Sequence, residues 1–516
     1  MAFTVQNYNP FPGTRLARNP PMLYICVGVL ACGIILTALN VYELRNMQRE
    51  HFDGHKYGPV AEGREEAVRP KYWLYGKRLD SGYLSHVMAV FDRTGYARGD
   101  ENTEDWDVLW AHDYPFLKLA DKLHSLEPHQ KVNHFPGSGW VTNKVELART
   151  PLTHIPPAFK MPHEREKLIA HANKHPEKLW VQKNSNHRGI KIQKIADLDL
   201  KAEGTFVQEY IAKPLLIDAR KFDIGVYAVL TSIRPLRLYL YDEDALFRFC
   251  PKDYHPFDPA DLKRYVVEDD YTPMWKMPSL KHYYTDLGFS FKESFNMYMK
   301  SKGLNPDRVW QQIDESIIEV FTSKENQLIQ STTNYRSTRN FFEMMRFDYV
   351  LDEESNIYLM EANMSPNLSS AHFSDNRLLY EQVIYNLLSL VGVARHISHD
   401  SLRIRSNDEV NMQVSDKNIL VSLDVCASDE CQDCSALKCK VCRSCLTIED
   451  KLHLKQAFLE HSNRLGCRRL YPRPMHHLRT NTRAAEDWLP SNMSVSNKLM
   501  HLWFYGKCQQ DVQWCS

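Results

Sequence analysis

The sequence has no excess of charge of either sign, because 64 lysines and arginines balance 64 aspartates and glutamates. Net charge therefore indicates no particular partner, and any electrostatic attraction must come from local patches. Cysteine is also sparse: twelve in 516 residues is too low a density for a disulfide scaffold. The hydrophobic content of 43% and the charged content of 25% are ordinary for a globular protein. The length allows two or three domains or one large multi-lobed enzyme.

One long apolar run lies near the N-terminus. Residues 22–39 are 18 residues without a charge, and residues 40–42 extend the run. This approaches the roughly 20 residues that a bilayer requires, so we predict a transmembrane helix over residues 22–42. A cleaved signal peptide is the alternative, although its apolar core is usually about 7–15 residues long. The polar residues 1–21 are expected to be a disordered leader, and residues 43–70 a linker.

Basic residues on either side of the run bear on its orientation. Arg15 and Arg18 precede it, and Arg45, Arg49 and Lys56 follow it. Because cytoplasmic flanks carry the excess of lysine and arginine, this small bias predicts a cytoplasmic C-terminal side. We therefore expect a single-pass membrane protein whose globular part faces the cytoplasm.

Acidic residues lie within otherwise apolar β-type sequence between residues 340 and 366. Two strands are predicted here, joined by the polar turn 352–356. Asp348 lies in the first strand, and Glu361 and Asn363 lie at the end of the second. Buried carboxylates need a cation or a base as partner, and these three side chains offer only hard oxygen ligands, which suit Mg²⁺ rather than zinc. The alternative is an exposed hairpin with its polar side chains in water.

Basic side chains also occur in or beside predicted strands. Residues 179–183 are predicted to be a strand that ends in Lys183 and is followed by a polar loop and Gly189. A lysine beside such a loop can grip a nucleotide phosphate, although a lone strand-end lysine is usually solvated. Arg237 and Arg248 lie in β-type sequence, where a guanidinium needs a carboxylate or a phosphate. The order of elements predicts an α+β enzyme built on antiparallel sheets.

Six segments occur together in the order found in one enzyme family. They are VNHFPG followed by ELART, WVQKN…RG, VQEYIAKPLLIDARKFDIGVYAVLTS, RPLRLYLY, LFRF and FFEMMRFDYVLD…YLMEANMSPNL. On these segments the sequence resembles the tubulin–tyrosine ligase-like family over about residues 71–395. It looks most similar to tubulin polyglutamylase-like members, some of which carry a membrane span. The resemblance implies an ATP-grasp fold for this region, between the predicted transmembrane helix and a Cys-rich C-terminal extension.

The resemblance also implies an ATP site. The residues that match those covering the phosphates are Lys183, Arg188 and Gly189. The residues that match the hinge holding the adenine through backbone hydrogen bonds are Gln208, Glu209, Tyr210 and Ile211. The residues that match a pair on the ribose and phosphate side are Lys221 and Asp223.

Further matches concern the metal and the amino acid substrate. Asp348, Glu361 and Asn363 match magnesium ligands of the family. Arg248 matches the arginine that holds the carboxylate of the incoming amino acid, for which a bidentate fork is well shaped. Lys221 and Arg248 are therefore the predicted catalytic residues, and ATP and Mg²⁺ are the implied cofactors.

The activity implied by the resemblance is tubulin polyglutamylation. ATP phosphorylates a glutamate side chain of tubulin, the amino group of free L-glutamate attacks the acyl-phosphate, and phosphate leaves. No nucleophilic side chain is required, because such an enzyme positions the groups and neutralises charge. The expected partners are tubulin or microtubules, free glutamate and a membrane, without nucleic acid.

Three positions depart from the family pattern. Most active relatives carry an arginine two residues after the KFD aspartate, where this chain has Gly225. Asp269 and Asp270 stand where relatives have Thr-Asn, and Asn376 and Arg377 stand near an expected lysine. A second function therefore stands beside the ligase: a catalytically degenerate, nucleotide-binding relative that holds microtubules or another acidic partner at a membrane.

Six cysteines cluster in residues 426–445, beyond the region of resemblance. Thiolates at C-x₂-C spacing can hold Zn²⁺ tetrahedrally, and the candidates are Cys431, Cys434, Cys439 and Cys442. If this part faced an oxidising lumen, disulfides would be the better interpretation. The sequons at Asn367 and Asn492 would then be open to glycosylation. A cytoplasmic orientation favours the metal.

Residues 461–483 contain six arginines and no aspartate or glutamate. We expect residues 396–425 to be a linker and residues 446–516 to be a basic C-terminal tail. The arginines are either a solvated surface or a contact for an acidic partner, and the Glu-rich tails of tubulin would qualify. Nucleic acid would fit the charge, but no recognised nucleic-acid module accompanies it.

Overall fold

The computed structural model describes residues 37–40, 42, 69–184, 190–394, 411–478 and 489–516. Tertiary contacts divide the chain after Val68, and Arg69–Ser516 form one compact unit. The leader, most of the predicted span 22–42 and nearly all of the linker 43–70 lie outside the described residues. Within the described ranges, no helix is both long enough and apolar enough to cross a membrane.

The strands of the described residues form three sheets. In chain order they are β1 Lys71–Tyr75, β2 Ala97–Arg98, β3 Val108–Ala111, β4 Lys131–Val132, β5 Ala158–Lys160, β6 Trp180–Asn184, β7 Lys191–Gln193, β8 Thr205–Glu209, β9 Phe222–Ile233, β10 Leu236–Tyr241, β11 Leu246–Phe249, β12 Thr272–Pro273, β13 Glu343–Leu351, β14 Ile357–Asn363 and β15 Cys467–Tyr471.

Helices cover the sheets and connect their strands. In chain order they are α1 Ser85–Arg93, α2 Ala120–His124, α3 Gly139–Thr142, α4 Lys144–Ala148, α5 Arg165–Lys174, α6 Pro278–Lys281, α7 Phe291–Ser301, α8 Pro306–Ser331, α9 Asn376–Leu390, α10 Leu423–Cys426, α11 Ile448–Asn463 and α12 Val495–Gln510. The longest of these helices, α8, has a buried apolar stripe that includes Val309, Ile313, Ile317 and Phe321.

The central sheet is organised by β9, whose twelve residues are all buried. β13 runs antiparallel along one edge of β9, from Glu343 opposite Leu230 to Tyr349 opposite Ile224. β10 and β11 share the other edge. β14 pairs antiparallel with β13, so the hairpin predicted between residues 340 and 366 is confirmed as a structural unit. It is a buried part of the central sheet rather than an exposed hairpin.

A smaller antiparallel sheet, in the order β5-β8-β6-β7, carries the strand that ends near Lys183. Its core side packs on α5, with Leu168, Trp180 and Val207 almost fully buried. Residues of this sheet and of the central sheet line a common cleft. Two antiparallel sheets facing one cleft fit the expected ATP-grasp-like fold.

The N-terminal sheet, in the order β2-β1-β3-β4, is parallel throughout, so the expectation of antiparallel sheets is wrong for it. β1 is connected to β2 by α1, and parallel neighbours require a crossover of this kind. All four residues of β3 are buried. A short apolar run of this type does not reveal the direction of its neighbours, and the sequence therefore did not distinguish the two cases.

Residues 411–478 and 489–516, here called the C-terminal module, have a hydrophobic core of their own that includes Leu454, Trp503 and Phe504. Disulfides join its cysteines as Cys426–Cys442, Cys431–Cys439, Cys434–Cys445 and Cys508–Cys515. The zinc site predicted at Cys431, Cys434, Cys439 and Cys442 is therefore wrong, because sulfur atoms joined in disulfides are not available as thiolate ligands. The described residues also contain no group of three or more His, Cys, Asp or Glu side chains that could hold a metal.

The part of the expected basic tail that the structure describes is folded against the central sheet. β15 pairs antiparallel with β10. Arg468 donates hydrogen bonds to Asp314 at 2.9 and 3.0 Å, and Arg469 is fully buried with its guanidinium 3.9 Å from the ring centroid of Phe504. These two arginines therefore make contacts inside the protein, whereas Arg479 and Arg483 lie outside the described residues.

Candidate active site

A cleft of about 300 Å³ opens between the smaller antiparallel sheet and the central sheet. This volume lies at the lower end of the roughly 300–1,000 Å³ typical of ligand sites. The predicted site residues that line it are Lys183, Gln208, Glu209, Tyr210, Ile211, Lys221, Asp223, Arg248, Asp348 and Glu361. Asn363 joins them through hydrogen bonds to Asp348 and Glu361. Arg188 and Gly189 lie outside the described residues.

The three predicted metal ligands converge at one corner of this cleft. Asp348 of β13 lies opposite Glu361 of β14, and Asn363 follows two residues later on the same face of the strand. The Asn363 amide donates to Asp348 Oδ2 at 3.2 Å and to Glu361 Oε1 at 3.1 Å. The atoms of these three side chains that could coordinate a cation are carboxylate or amide oxygens, which fits Mg²⁺.

Lys144 belongs to the same corner, although it was not among the predicted site residues. Its Nζ lies 2.7 Å from Glu361 Oε2. The preceding Asn143 caps α4 by accepting two backbone N–H groups, which fixes Lys144 in the first turn. Burial raises the pKa of Glu361, but the Lys144 ammonium and the Asn363 amide outweigh it and hold that pKa well below the usual range. Glu361 is therefore ionised at neutral pH.

Two arginines and two aspartates form a buried cluster next to this corner. Arg248 donates to Asp223 at 2.9 and 2.7 Å and to Asp348 at 3.0 Å. Arg346 donates to both oxygens of Asp348, at 2.7 and 2.9 Å. Burial raises the pKa of Asp223 to about 6 against the attraction of Arg248. The two positive and two negative charges balance, and the sequence had identified three of the four residues.

Two lysines supply positive charge to the other side of the cleft. Lys183 Nζ donates to Gln208 Oε1 at 2.8 Å, and burial lowers the pKa of Lys183 to about 8. Lys221 Nζ lies 4.9 Å from the ring centroid of Tyr210, and burial also lowers its pKa. An anion placed near both ammonium groups would favour their charged forms and raise both pKa values.

The predicted hinge is partly occupied by contacts of its own. The Glu209 carboxylate forms an ion pair with Lys178 at 2.6 Å. The backbone N–H groups of Glu209 and Tyr210 donate to the carbonyls of Pro157 and Leu179, each at 2.9 Å. A ligand at the hinge therefore cannot use these two N–H groups without breaking sheet hydrogen bonds.

Two of the three positions expected to depart from the family pattern make contacts of their own. Asp269 and Asp270 are exposed, and Asp270 forms an ion pair with Lys263 at 2.7 Å rather than lining the cleft. Asn376 is buried at the start of α9 and donates to the Tyr271 hydroxyl at 2.7 Å. Neither departure adds a negative charge among the lysines of the cleft.

Comparison with known proteins identifies the family. A model of the tubulin-tyrosine ligase family matches residues 122–400. A probable tubulin polyglutamylase of Caenorhabditis elegans, ttll-15, is 41% identical over 465 residues, which are 88% of each chain. The chain belongs to the tubulin-tyrosine ligase family.

More distant relatives in the tubulin-tyrosine ligase family share a smaller region. The human tubulin monoglutamylase TTLL4 is 27% identical over 352 residues, 64% of this chain and 29% of that protein. The zebrafish tubulin polyglutamylase ttll6 is 27% identical over 346 residues, 63% of this chain and 43% of that protein. The chain thus spans less than half the length of these two relatives, whereas it matches ttll-15 over nearly its whole length.

Proposed function

We propose that the protein is an ATP- and Mg²⁺-dependent ligase that joins free glutamate to glutamate side chains of tubulin. The observation that carries this proposal is the convergence of Asp348, Glu361 and Asn363 with Lys183 and Lys221 in one cleft. A metal corner with only oxygen ligands, together with the ammonium groups of Lys183 and Lys221, suits a nucleoside triphosphate with its cation. We take tubulin as the acceptor because the relatives are named as a tubulin polyglutamylase and a tubulin monoglutamylase.

ATP would bind with its adenine at the hinge and its phosphates toward the lysines. Because the Glu209 and Tyr210 N–H groups are already bonded, we assign the donor for the adenine ring to the Ile211 N–H. Lys183 would contact the phosphates, and Lys221 with Asp223 would lie on the ribose side. A bound phosphate would also compensate for the burial of both lysines. Arg188 and Gly189 remain predicted to cover the phosphates.

Mg²⁺ would be held by Asp348, Glu361 and Asn363. When bound, it neutralises phosphate charge. Lys144 stabilises the ionised form of Glu361, so that a carboxylate is ready for the cation. Part of the hydrogen bonding that Asp348 now has with Arg248 and Arg346 would be exchanged for the metal contact.

The reaction has two steps. A carboxylate oxygen of the acceptor attacks the γ-phosphorus of ATP, and ADP leaves, which gives an acyl-phosphate. The amino group of free glutamate then attacks the acyl carbon, phosphate leaves with the electron pair of the broken C–O bond, and the amine loses a proton. Arg248 would hold a carboxylate of the free glutamate, so that its contribution is orientation, and Lys183 and Lys221 would neutralise phosphate charge.

Incorporation of labelled glutamate into tubulin tests this function. The wild-type full chain is expected to incorporate label only with ATP and Mg²⁺. Glu361→Gln is expected to abolish incorporation, because it removes the negative charge that the Glu361 carboxylate offers to the cation. Glu354→Gln changes an exposed glutamate in the turn of the same hairpin and serves as the matched control with unchanged activity. No incorporation by the wild type at saturating ATP and glutamate would contradict the proposal.

The acceptor has a second candidate, an acidic polypeptide in an oxidising compartment. Four disulfides in the C-terminal module favour it, because such bonds persist in secretory compartments and are rare in the cytosol. Asn367 and Asn492, each the first residue of a sequon, are both exposed. The predicted span over residues 22–42 would then place the globular part on the side opposite to the cytoplasm.

Glycosylation in eukaryotic cells separates the two acceptors. If the globular part is lumenal, an endoglycosidase should increase the mobility of the full chain on a gel, and the double variant Asn367→Gln/Asn492→Gln should lose this shift. If the chain is not glycosylated and the cysteines of its C-terminal module react with a maleimide in the cytosol of intact cells, tubulin is the acceptor and the second candidate fails.

A further inference from the structure

Gly225 stands where the resemblance implies an arginine, and an arginine lies on the neighbouring strand. Gly225 of β9 lies opposite Asp348 of β13, and Tyr227 lies opposite Arg346. Residues directly opposite in antiparallel strands point to the same side, and so do alternate residues along one strand. Asp223, Gly225 and Tyr227 therefore share a face of the sheet with Arg346 and Asp348. This is the face on which Asp223 and Asp348 line the cleft.

The side chain of Arg346 fills the space above Gly225. A Cβ atom added to Gly225 would lie 2.9 Å from Arg346 Cδ, 3.3 Å from Arg346 Nε and 3.1 Å from Asp348 Oδ1. A contact under about 3 Å requires the neighbour to move. The glycine therefore permits the arginine on the next strand, and an arginine at both positions would not fit without rearrangement.

Arg346 is charged, buried and close to groups that would suit a polar ligand. Its side chain is 6% exposed. The Asp348 carboxylate accepts two hydrogen bonds from Arg346, one from Arg248 and one from Asn363. Four donors thus share two oxygens, so a cation bound to Asp348 must displace some of them and free part of the Arg346 fork. Nearby, the buried Tyr227 hydroxyl has no hydrogen-bond partner among the described residues.

We propose that Arg346, supplied from β13, takes the place of the arginine that relatives carry at position 225, and that with Arg248 it binds a donor amino acid that has two carboxylates. This inference rests on the proposed ligase activity and sharpens it, because a pair of guanidinium groups selects glutamate over glycine. Each arginine can grip one carboxylate with a bidentate fork. Arg346 is a specificity residue in this account, and it acts after Asp348 has turned to the cation.

A competing explanation is purely structural. In that account Arg346 only neutralises Asp348 inside the sheet, and the chain is unable to bind the donor amino acid. Both accounts predict that Arg346→Gly harms the protein, so loss of activity alone would not separate them. Exchanging the residues at positions 225 and 346 separates the two accounts, because the exchange returns a guanidinium to the same space from the other strand.

The test combines Arg346→Gly, Gly225→Arg and the double exchange in the full chain, with glutamate binding measured by calorimetry in the presence of Mg²⁺ and a non-hydrolysable ATP analogue. Arg346→Gly should weaken glutamate binding by about tenfold or more, which is the usual value of a charge-assisted contact, with nucleotide affinity nearly unchanged. Gly225→Arg should lower the thermal midpoint because two arginines compete for one space. The double exchange should recover both glutamate binding and the midpoint.

Arg346→Lys keeps the charge without the fork, so partial retention of glutamate binding is expected. Glutamate binding by Arg346→Gly at the wild-type affinity would overturn the inference, and so would a double exchange that recovers the midpoint without recovering binding. Wild-type binding of glutamate without ligation would contradict the proposed function and leave this inference intact. Absence of glutamate binding by the wild type would refute the inference directly.

Discussion

Two buried arginine–carboxylate clusters lie on the same central sheet, and they differ in what surrounds them. Arg237 of β10 donates to Glu460 of α11 at 2.7 and 2.9 Å, and the hydroxyls of Thr231 and Tyr239 donate to the same carboxylate. Arg237 is fully buried. This cluster joins the C-terminal module to the central sheet.

In the second cluster, Arg248, Asp223 and Asp348 line the cleft, and Arg346 is joined to them by its hydrogen bonds to Asp348. The chemistry of the two clusters is alike, since each is a set of guanidinium forks on carboxylates. The difference is access: none of the four residues of the first cluster lines the cleft, whereas three of the four residues of the second cluster do. Buried ion pairs therefore indicate function only when a cavity reaches them.

Neutralising the closed cluster should have the largest effect on stability. Glu460→Gln leaves the Arg237 guanidinium buried without its charge partner, and such a change costs roughly 3–5 kcal/mol of unfolding free energy. We expect a clear fall in the thermal midpoint, with the affinity for nucleotide unchanged in the protein that remains folded. Calorimetric unfolding and nucleotide titration measure the two quantities.

The matched change in the open cluster is Asp223→Asn. Burial already raises the pKa of Asp223 to about 6, so the folded state tolerates a neutral group at this position. A smaller loss than for Glu460→Gln is expected, because Arg248 keeps the Asp348 carboxylate as a charge partner at 3.0 Å. Equal losses of stability in Glu460→Gln and Asp223→Asn would break the distinction between the two clusters.

A smaller effect is expected from pH acting on the lysine side of the cleft. The pKa of Lys183 lies at about 8 in the free protein because of burial, and phosphate binding would raise it. Lys183 is charged below this value, so ATP affinity should be constant at lower pH and weaken as the pH rises through 8, by up to about tenfold per unit. Titration of a nucleotide analogue between pH 7 and 9.5 measures this dependence.

Lys183→Met is the control for the pH effect. This variant should bind the analogue more weakly at pH 7 and lose most of the dependence of affinity on pH. A small dependence should remain, because burial also lowers the pKa of Lys221. An affinity of the wild type that does not change between pH 7 and 9.5 would show that Lys183 does not contact the phosphates.

The sequence predicted local structure and single residues better than it predicted partners. The hairpin and the strand ending near Lys183 follow from local alternation and turn residues. The need of Arg237 for a carboxylate was foreseen, but Glu460 as its partner was not, because the two positions are 223 residues apart. Lys144 and Glu361 meet in the same way across two elements that only the fold brings together.

Pairing choices were also beyond the sequence. Six cysteines allow 15 disulfide patterns, and spacing does not select one of them. The sequence identified Asp348 from its place in an apolar strand, but it did not identify Arg346, two residues earlier. Only the register of β13 on β9 places the Arg346 side chain above Gly225. What the sequence could not supply in each case is the identity of residues that meet across elements.

The most direct test of the account is labelled-glutamate incorporation by the full chain, compared with its Glu361→Gln variant under saturating ATP, Mg²⁺ and glutamate. The account predicts incorporation into an acidic acceptor by the wild type and none by the variant, while both proteins unfold at similar temperatures. Incorporation that persists in Glu361→Gln, or that is absent from the wild type with tubulin and with any other glutamate-rich polypeptide, would contradict it.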